Sequence, residues 1–96
     1  MKLTTVALTR IQKVARRYPV TRLALFGSRA RGTANRQSDY DFLITLDHRQ
    51  RPSLFDLGGL QYDLSEALNS PVDVLVYDDA IPERILRDAQ PIFERR

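Results

Sequence analysis

Three short apolar segments, kept apart by amphipathic or polar stretches, constrain the fold of this chain more than any other feature. They cover residues 23–26, 40–46 and 72–77, and β-branched, aromatic and leucine side chains dominate them. Runs of this length are typical of buried strands, whereas a core helix needs a longer pattern. We therefore predict three strands separated by helical or loop segments.

Two amphipathic helices are predicted around these strands. In residues 3–18 the apolar side chains recur every three or four positions, and Pro19 ends the pattern. In residues 53–69 a leucine stripe follows Ser53, and Asp56 stands three positions later, which is the arrangement of a capping box. We expect the leucine stripe to face the core, although two consecutive glycines weaken the second helix.

A last helix is predicted between Asp79, as its N-cap, and Pro91. The loop between the first two strands is too short for a crossover helix and a return, so these strands should be antiparallel. The relative direction of the second and third strands stays open. The sequence thus predicts an α+β fold in one domain, residues 1–96, with a small mixed sheet of three or four strands and helices packed on one side.

Composition excludes several classes of protein. The chain has 96 residues, 43% of them apolar, and it has no cysteine, so disulfides and thiolate metal sites are excluded. Its first residues have no apolar run of the kind found in secretion signals, and no segment is long and apolar enough to span a membrane. We therefore expect a cytoplasmic protein that does not interact with membranes.

Charge is distributed unevenly along the chain. Residues 1–51 contain 11 Lys and Arg against 3 Asp, whereas residues 52–96 contain 4 Arg against 9 Asp and Glu. The basic half could meet phosphate or an acidic partner, and it could equally be a solvated basic helix. Because no basic run is dense, we expect no direct binding of nucleic acid.

Acidic residues occupy two of the predicted strands. Asp39 and Asp41 are two positions apart and should project from one face, while Asp73 is a single acidic residue within an apolar strand. Carboxylates brought together repel unless a cation lies between them, and their hard oxygen atoms suit Mg²⁺. If the two strands are neighbours, the three carboxylates could hold two Mg²⁺ ions about 3.5 to 4 Å apart.

A candidate phosphate site directly follows the first strand. Gly27 allows close approach of the backbone, Ser28 offers a hydroxyl and can cap a short helical turn, and backbone amides at a helix start favour anions. Arg29 and Arg31 would add positive charge, and the spacing does not decide which of them reaches phosphate. Ser38 is also a candidate nucleotide contact, although a turn hydroxyl is its simpler interpretation.

These motifs carry a family resemblance. Gly27-Ser28, ten residues and then Asp39-Tyr40-Asp41 resembles the signature of the DNA polymerase beta-like nucleotidyltransferase superfamily. With the segments 53–57 and 71–75 included, nearly the whole chain resembles the minimal nucleotidyltransferase (MNT) antitoxins of HEPN/MNT toxin-antitoxin systems. The resemblance implies the nucleotidyltransferase fold.

The resemblance also implies a function and roles for individual residues. Asp39 and Asp41 would be metal ligands, Asp73 a third ligand or a base, and Gly27 and Ser28 phosphate contacts. The activity would be Mg²⁺-dependent transfer of AMP from ATP to a tyrosine of a partner HEPN ribonuclease toxin.

Two alternatives remain at this stage. The chain could be a non-catalytic antitoxin that neutralises its toxin by binding, or a nucleotidyltransferase that acts on RNA ends or small molecules. Because 23 residues follow Asp73, we expect no counterpart of the extra C-terminal domain of larger relatives. We therefore expect a partner protein to complete the pocket.

Overall fold

The structure, a computed structural model, describes residues 3–33 and 39–95. Helices and strands alternate along most of this length. In chain order they are α1 (Thr5–Arg16), β1 (Val20–Phe26), α2 (Ser28–Arg31), β2 (Tyr40–Leu46), α3 (Leu54–Leu68), β3 (Val72–Val76), α4 (Glu83–Asp88) and β4 (Gln90–Glu94). A single 3-10 turn (His48–Gln50) follows β2.

The sheet is mixed and its strands lie in the order β3-β2-β1-β4. β1 is antiparallel to both β2 and β4, which confirms the direction predicted for the first two strands. β2 and β3 are parallel neighbours. A parallel pair needs a crossover connection, and α3 is that connection.

The strand β4 was not assigned individually from the sequence. It contains Pro91, which we interpreted as the end of the last helix, and it pairs antiparallel with β1 through a register irregularity at Leu23 and Ala24. Proline is tolerated here because β4 is an edge strand. On its outer side no further strand needs a backbone N–H as a hydrogen-bond donor.

The helix α1 begins with a side-chain cap and presents one apolar face. The Thr4 hydroxyl accepts a hydrogen bond from the Ala7 N–H at 3.1 Å, and this satisfies one of the free amides of the first turn. The apolar side chains of Ile11, Val14 and Ala15 are buried against the sheet and α3. The helix is shorter at both ends than the predicted span of 3–18.

The helix α3 confirms the capping box, and its predicted leucine stripe faces the core except at Leu54, which is 83% exposed because it is the first residue of the helix and lies beyond the sheet contact. The Ser53 N–H donates to Asp56 Oδ2 at 2.8 Å, and the Asp56 N–H donates to Ser53 Oγ at 3.4 Å. Leu60 and Leu64 are almost completely buried. The helix runs without interruption through its two glycines and ends at Asn69, whose left-handed φ of 50° stops it.

One core lies between the sheet and the layer formed by α1 and α3. Side chains that alternate along β1 and β2 enter it, as the period of a strand requires. Its buried members are Ile11, Val14, Ala15, Val20, Leu23, Leu25, Phe42, Ile44, Leu60, Leu64, Val72 and Phe93. Burial of this face leaves the alternate residues of the strands, including Asp41 and Asp73, on the opposite face.

The last helix differs from the prediction at its start. It begins at Glu83 after Pro82, so Asp79 is not its cap, and the Asp78 carboxylate instead accepts a hydrogen bond from the Ala80 N–H at 2.7 Å. Proline suits the start of a helix because the backbone N–H groups there have no partner within the helix, and proline has no N–H. Neither α4 nor another helix of the described ranges has the length and apolar character to cross a bilayer.

The contact between α1 and α3 depends on a glycine. The Tyr18 hydroxyl donates a hydrogen bond to the Asp63 carboxylate of α3. A Cβ at Gly59 would lie 2.9 Å from the Tyr18 hydroxyl oxygen and 3.1 Å from its ring carbon Cε1. Gly59 therefore makes room for Tyr18, whereas a Cβ at Gly58 would have no neighbour within 4 Å.

This contrast predicts opposite effects for two adjacent substitutions. We expect Gly58→Ala to stabilise the protein by about 0.5 to 1 kcal/mol, because alanine favours the helix and meets nothing. Gly59→Ala should be less stable than Gly58→Ala by about 1 kcal/mol or more, because the new methyl group displaces Tyr18. Urea unfolding of both variants measures the difference, and equal stabilities would contradict the contact.

The same contact predicts a dependence of stability on alkaline pH. Burial, together with the hydrogen bond to the Asp63 carboxylate, raises the pKa of Tyr18 from 10.0 to about 12. The stabilisation is therefore complete below pH 10 and is lost as the pH rises towards 12. Tyr18→Phe should cost about 1 to 2 kcal/mol at pH 7, and that difference should shrink above pH 10. A constant difference in urea unfolding between pH 7 and 11.5 would contradict this role.

Candidate functional site

The parallel pairing of β2 and β3 places two of the predicted carboxylates side by side. Asp41 and Asp73 are direct partners in the register of the two strands. Partners on neighbouring strands share a face, and Phe42 and Ile44 of β2 point into the core on the other side. Asp73 could join the other carboxylates only if the two strands were neighbours. The structure meets this condition.

Asp39 lies directly before β2 and acts on Asp41 electrostatically. Burial raises the pKa of the Asp41 carboxyl most, and the charges of Asp73 and Asp39 raise it further. The positive charge of Arg31 acts in the opposite direction. The charges of Asp39, Asp73 and Arg31 thus all affect the pKa of Asp41.

Exposure differs among the three carboxylates. Asp41 is half-buried, whereas Asp39 and Asp73 are exposed. Asp73 is exposed although it stands within an apolar strand, because its side chain is on the sheet face opposite the core. Among residues 3–33 and 39–95, no three His, Cys, Asp or Glu side chains already form a group that could hold a metal ion. The carboxylates would have to turn towards a cation.

Gly27 lies directly against Asp41. It follows Phe26, which is the register partner of Asp41 on β1, and its φ is 78°, a value that favours glycine. A Cβ at this position would overlap Oδ2 of Asp41 and would lie 3.3 Å from its Cγ. The close approach of backbone to carboxylate is therefore possible only for glycine.

Ser28 is the first residue of α2 and does not cap it. The cap is Gly27, whose carbonyl accepts hydrogen bonds from the N–H groups of Ala30 and Arg31, both at 3.1 Å. The Ser28 carbonyl accepts from the Thr33 N–H at 3.0 Å and closes the turn. The predicted capping role of Ser28 is wrong, while its place beside Gly27 is as expected.

The two candidate phosphate-binding arginines differ in their surroundings. Arg29 is only 6% exposed, and its guanidinium lies 4.0 Å from the centre of the Tyr40 ring. Arg31 is about half exposed, and its Nη1 lies 2.7 Å from Oδ2 of Asp88. Arg29 thus packs against the strand that begins with Tyr40, and Arg31 is the more accessible cation near Asp41.

Two residues that support the site were missed in the sequence. Asp88 pairs with Arg31, and Gln90 Nε2 donates to the Ala30 carbonyl at 2.9 Å. Both are more than 50 positions away along the chain from the residues they hold, so no local pattern could reveal them. Ser38, the remaining candidate nucleotide contact, lies outside the described residues.

A cavity of about 600 Å³ opens on the same face of the sheet as Asp41. Ala24 and Leu43 form part of its floor, and Tyr77 and Leu86 lie at its sides. Leu43 is two residues beyond Asp41 on β2 and therefore faces the same side. The cavity therefore lies farther along the same sheet face, and none of Asp39, Asp41 and Asp73 lines it.

The arrangement combines two kinds of chemistry. Three carboxylates supply hard oxygen donors of the kind that Mg²⁺ prefers. Beside them, the Gly27 backbone and the Arg31 guanidinium supply groups that suit the phosphates of a nucleotide. The donor set therefore fits a divalent cation, and its neighbours fit the anion that such a cation accompanies.

Comparison with known proteins agrees with this chemistry. The nucleotidyltransferase domain family matches residues 9–92, which is most of the chain. The chain belongs to this family and is a nucleotidyltransferase.

Two similar proteins define the relationship further. The chain is 38% identical over 80 residues to the "Putative protein adenylyltransferase" of Methanocaldococcus jannaschii, and the match covers 80% of this chain and 84% of that protein. A solved structure described as a "putative minimal nucleotidyltransferase" is 29% identical, with a TM-score of 0.74, and the match covers 88% of this chain and 87% of the other.

A second solved structure shares the fold at lower identity. It is the complex of the tri-AMPylated Shewanella oneidensis HEPN toxin with its MNT antitoxin. The match has a TM-score of 0.68 at 18% identity and covers 96% of this chain and 73% of the other. The predicted minimal nucleotidyltransferase fold is confirmed.

Asp41 and Asp47 lie near opposite ends of β2, and their replacement by asparagine should change the stability of the protein in opposite directions. The raised pKa of Asp41 means that its ionised form is disfavoured in the folded state, so stability falls as the pH rises through that pKa. Hydrogen bonds from Gln50 and Arg49 lower the pKa of Asp47, so its stabilisation is present above pH 3.8 and is lost below it.

We therefore expect Asp41→Asn to raise the free energy of unfolding at pH 7, without divalent cations, by roughly 0.5 kcal/mol, since solvent screens part of the repulsion. The control Asp47→Asn should lower it. Urea unfolding at low ionic strength measures both, and a destabilised Asp41→Asn would show that the carboxylate cluster is not under electrostatic strain.

Proposed function

We propose that this nucleotidyltransferase transfers AMP from ATP to a tyrosine hydroxyl of a HEPN ribonuclease toxin in the cytoplasm and thereby acts as its antitoxin. The observation that carries the proposal is the pairing of Asp41 with Asp73 beside the backbone of Gly27. That pairing gathers the carboxylates for phosphoryl chemistry next to the groups suited to hold a triphosphate.

Asp39, Asp41 and Asp73 are the proposed ligands of Mg²⁺. Their oxygen atoms have the hardness that this ion requires, and Asp41 already lies in the combined field of the other two. When bound, Mg²⁺ would neutralise charge on the triphosphate and lower the pKa of the attacking hydroxyl. On this proposal, the three negatively charged carboxylates lie close together because they bind the cation jointly.

The phosphate contacts are proposed for Gly27, Ser28 and Arg31. The backbone at Gly27 reaches Asp41 closely enough that phosphates held there would lie beside the carboxylates. Arg31 provides a cation whose field reaches Asp41. Arg29 is the less suitable candidate, since it packs on Tyr40 and would position the loop and strand.

The proposed reaction conserves atoms and charge in a single displacement. The tyrosine oxygen forms a bond to the α-phosphorus of ATP, and the bond from that phosphorus to the oxygen bridging to the β-phosphate breaks. Pyrophosphate leaves, and the hydroxyl proton passes to a carboxylate, for which the exposed Asp73 is the candidate base. The product is a tyrosine that carries AMP through a phosphodiester.

The relatives support a protein as the acceptor. The M. jannaschii protein carries the name of a protein adenylyltransferase and aligns with four fifths of this chain. The S. oneidensis complex joins the same fold to a HEPN toxin that carries AMP groups. A toxin tyrosine is therefore the acceptor that we propose, with ATP as the donor.

Transfer of label from α-labelled ATP to the HEPN protein tests this proposal. We expect Mg²⁺-dependent labelling, and Asp41→Ala and Asp73→Asn should each lower its rate by about 100-fold or more, because each removes a carboxylate that acts in the displacement. EDTA should abolish labelling. Glu94→Gln, which removes an exposed carboxylate on the edge strand β4, outside the site, is the control and should keep full activity.

The outcomes separate this function from its alternatives. Rescue of growth from the toxin by Asp41→Ala at the wild-type level would mean that binding alone neutralises it. Preferential labelling of RNA ends or of an aminoglycoside, tested beside the toxin, would overturn the choice of a protein acceptor. Equal labelling by GTP would remove the preference for adenine.

A further inference from the structure

The helix α3 exposes large apolar side chains that the fold does not use. Phe55 is 92% exposed, Leu54 is 83% exposed and Tyr62 is 64% exposed. Positions 55, 58 and 62 are spaced by three and four residues, so they lie along one face of the helix. Exposed aromatic side chains concentrated in this way are typical of interaction surfaces.

Gly58 lies on this face between Phe55 and Tyr62. Unlike Gly59, it makes room for no other part of the chain, since a Cβ there would meet nothing within 4 Å. Glycine inside a helix costs about 1 kcal/mol relative to alanine. Packing within the chain does not account for this cost, and the missing side chain leaves a notch between two exposed aromatic rings.

The notch opens into a groove that reaches the candidate active site. The groove has a volume of about 450 Å³ and runs between α3 and the edge strand β3. Its lining includes Gly58, Gln61, Tyr62, Ser65, Pro71 and Asp73. Gln61 Nε2 donates to the Val72 carbonyl at 2.8 Å and so fixes the helix to the strand beneath the groove. Asp73 thus belongs both to the groove and to the candidate site, because it lies on the edge strand that separates the two faces of the sheet.

The chain segment that supplies every lining residue of the groove has no basic side chain. From residue 52 to residue 83 the chain has no Lys, Arg or His and seven acidic residues, which are Asp56, Asp63, Glu66, Asp73, Asp78, Asp79 and Glu83. Within the described ranges, the only ion pair of this segment joins Asp63 to Arg17. Glu66 lies next to the Tyr62 hydroxyl, at 3.5 Å. The segment that carries the aromatic face and the groove is therefore negatively charged.

We infer that the α3 groove, defined by the six lining residues named above, docks a basic segment of the acceptor protein and directs its hydroxyl to Asp73. This inference rests on the proposed function, since it assigns the acceptor side of the same site. Positive charge on the partner complements the acidic segment, and an apolar or aromatic side chain of the partner fills the notch at Gly58. An RNA acceptor is disfavoured, because its phosphates would be repelled.

Synthetic copolymers test the charge and the location of docking. The probes are fluorescein-labelled poly(Lys,Tyr) and poly(Glu,Tyr) at a 4:1 ratio and a 12-nucleotide RNA, and binding to the 96-residue chain is measured by anisotropy without nucleotide. We expect poly(Lys,Tyr) to bind about tenfold or more tightly than either other probe, with affinity that falls as salt is added.

Substitutions in the groove and on the aromatic face beside it should weaken this binding. Gly58→Arg, which fills the notch and reverses its charge, and Phe55→Ser should each weaken poly(Lys,Tyr) binding about tenfold. Gly58→Ala should change it less than about twofold, since a methyl group leaves the notch open. Val6→Ser removes another exposed apolar side chain, on α1, and is the control for Phe55→Ser. The three substituted positions are exposed or open, so the fold tolerates all four changes.

The readouts separate this inference from the proposed function. Binding of methylanthraniloyl-ATP should be the same in all four variants, and in transfer assays Phe55→Ser should raise the KM for poly(Lys,Tyr) while leaving kcat unchanged. Equal binding of the two copolymers, preference for the RNA, or full binding by Gly58→Arg would overturn the docking surface even if AMP transfer occurs. Absence of transfer to any acceptor, with copolymer binding intact, would instead refute the proposed function alone.

Discussion

The parallel register of β2 and β3 is the constraint on which the rest of this structure depends. It places Asp41 opposite Asp73 and requires a crossover, which α3 supplies. The capping box at Ser53 fixes where that crossover starts, and the left-handed Asn69 fixes where it ends. The buried leucines hold it against the core face of the same strands. The residues that stabilise the fold therefore also set the spacing of the carboxylates, although none of them takes part in the proposed chemistry.

The candidate site concentrates charge on a sheet whose other face is entirely apolar. Phe42 and Ile44 are fully buried beside Asp41, so the strand cannot turn the carboxylate away without losing its core contacts. Repulsion among the aspartates is thus maintained by packing on the opposite side of the sheet. Functional sites commonly contain groups whose mutual repulsion lowers the stability of the protein, and packing elsewhere compensates for this loss.

Local patterns in the sequence predicted what local physics determines. Periodicity and caps within a few positions predict the strand Tyr40–Leu46 and the capping box of α3. Features set by distant contacts were not accessible. We did not predict β4 because Pro91 is compatible only with an edge strand, and the sheet order that places β4 at the edge is not a local feature. The contact of Arg31 with Asp88 depends on how α4 folds back.

The sheet order also bears on how donor and acceptor would share so small a domain. In-line displacement requires the attacking and leaving oxygens on opposite sides of the phosphorus. Because the order is β3-β2-β1, the loop with Gly27 and Arg31 lies on the β1 side of Asp41, and the acidic α3 groove lies on the β3 side. The negative field of the groove would repel a triphosphate and attract a basic acceptor. On the proposed reaction, the two substrates therefore approach the carboxylates from opposite edges, and charge alone assigns each to its side.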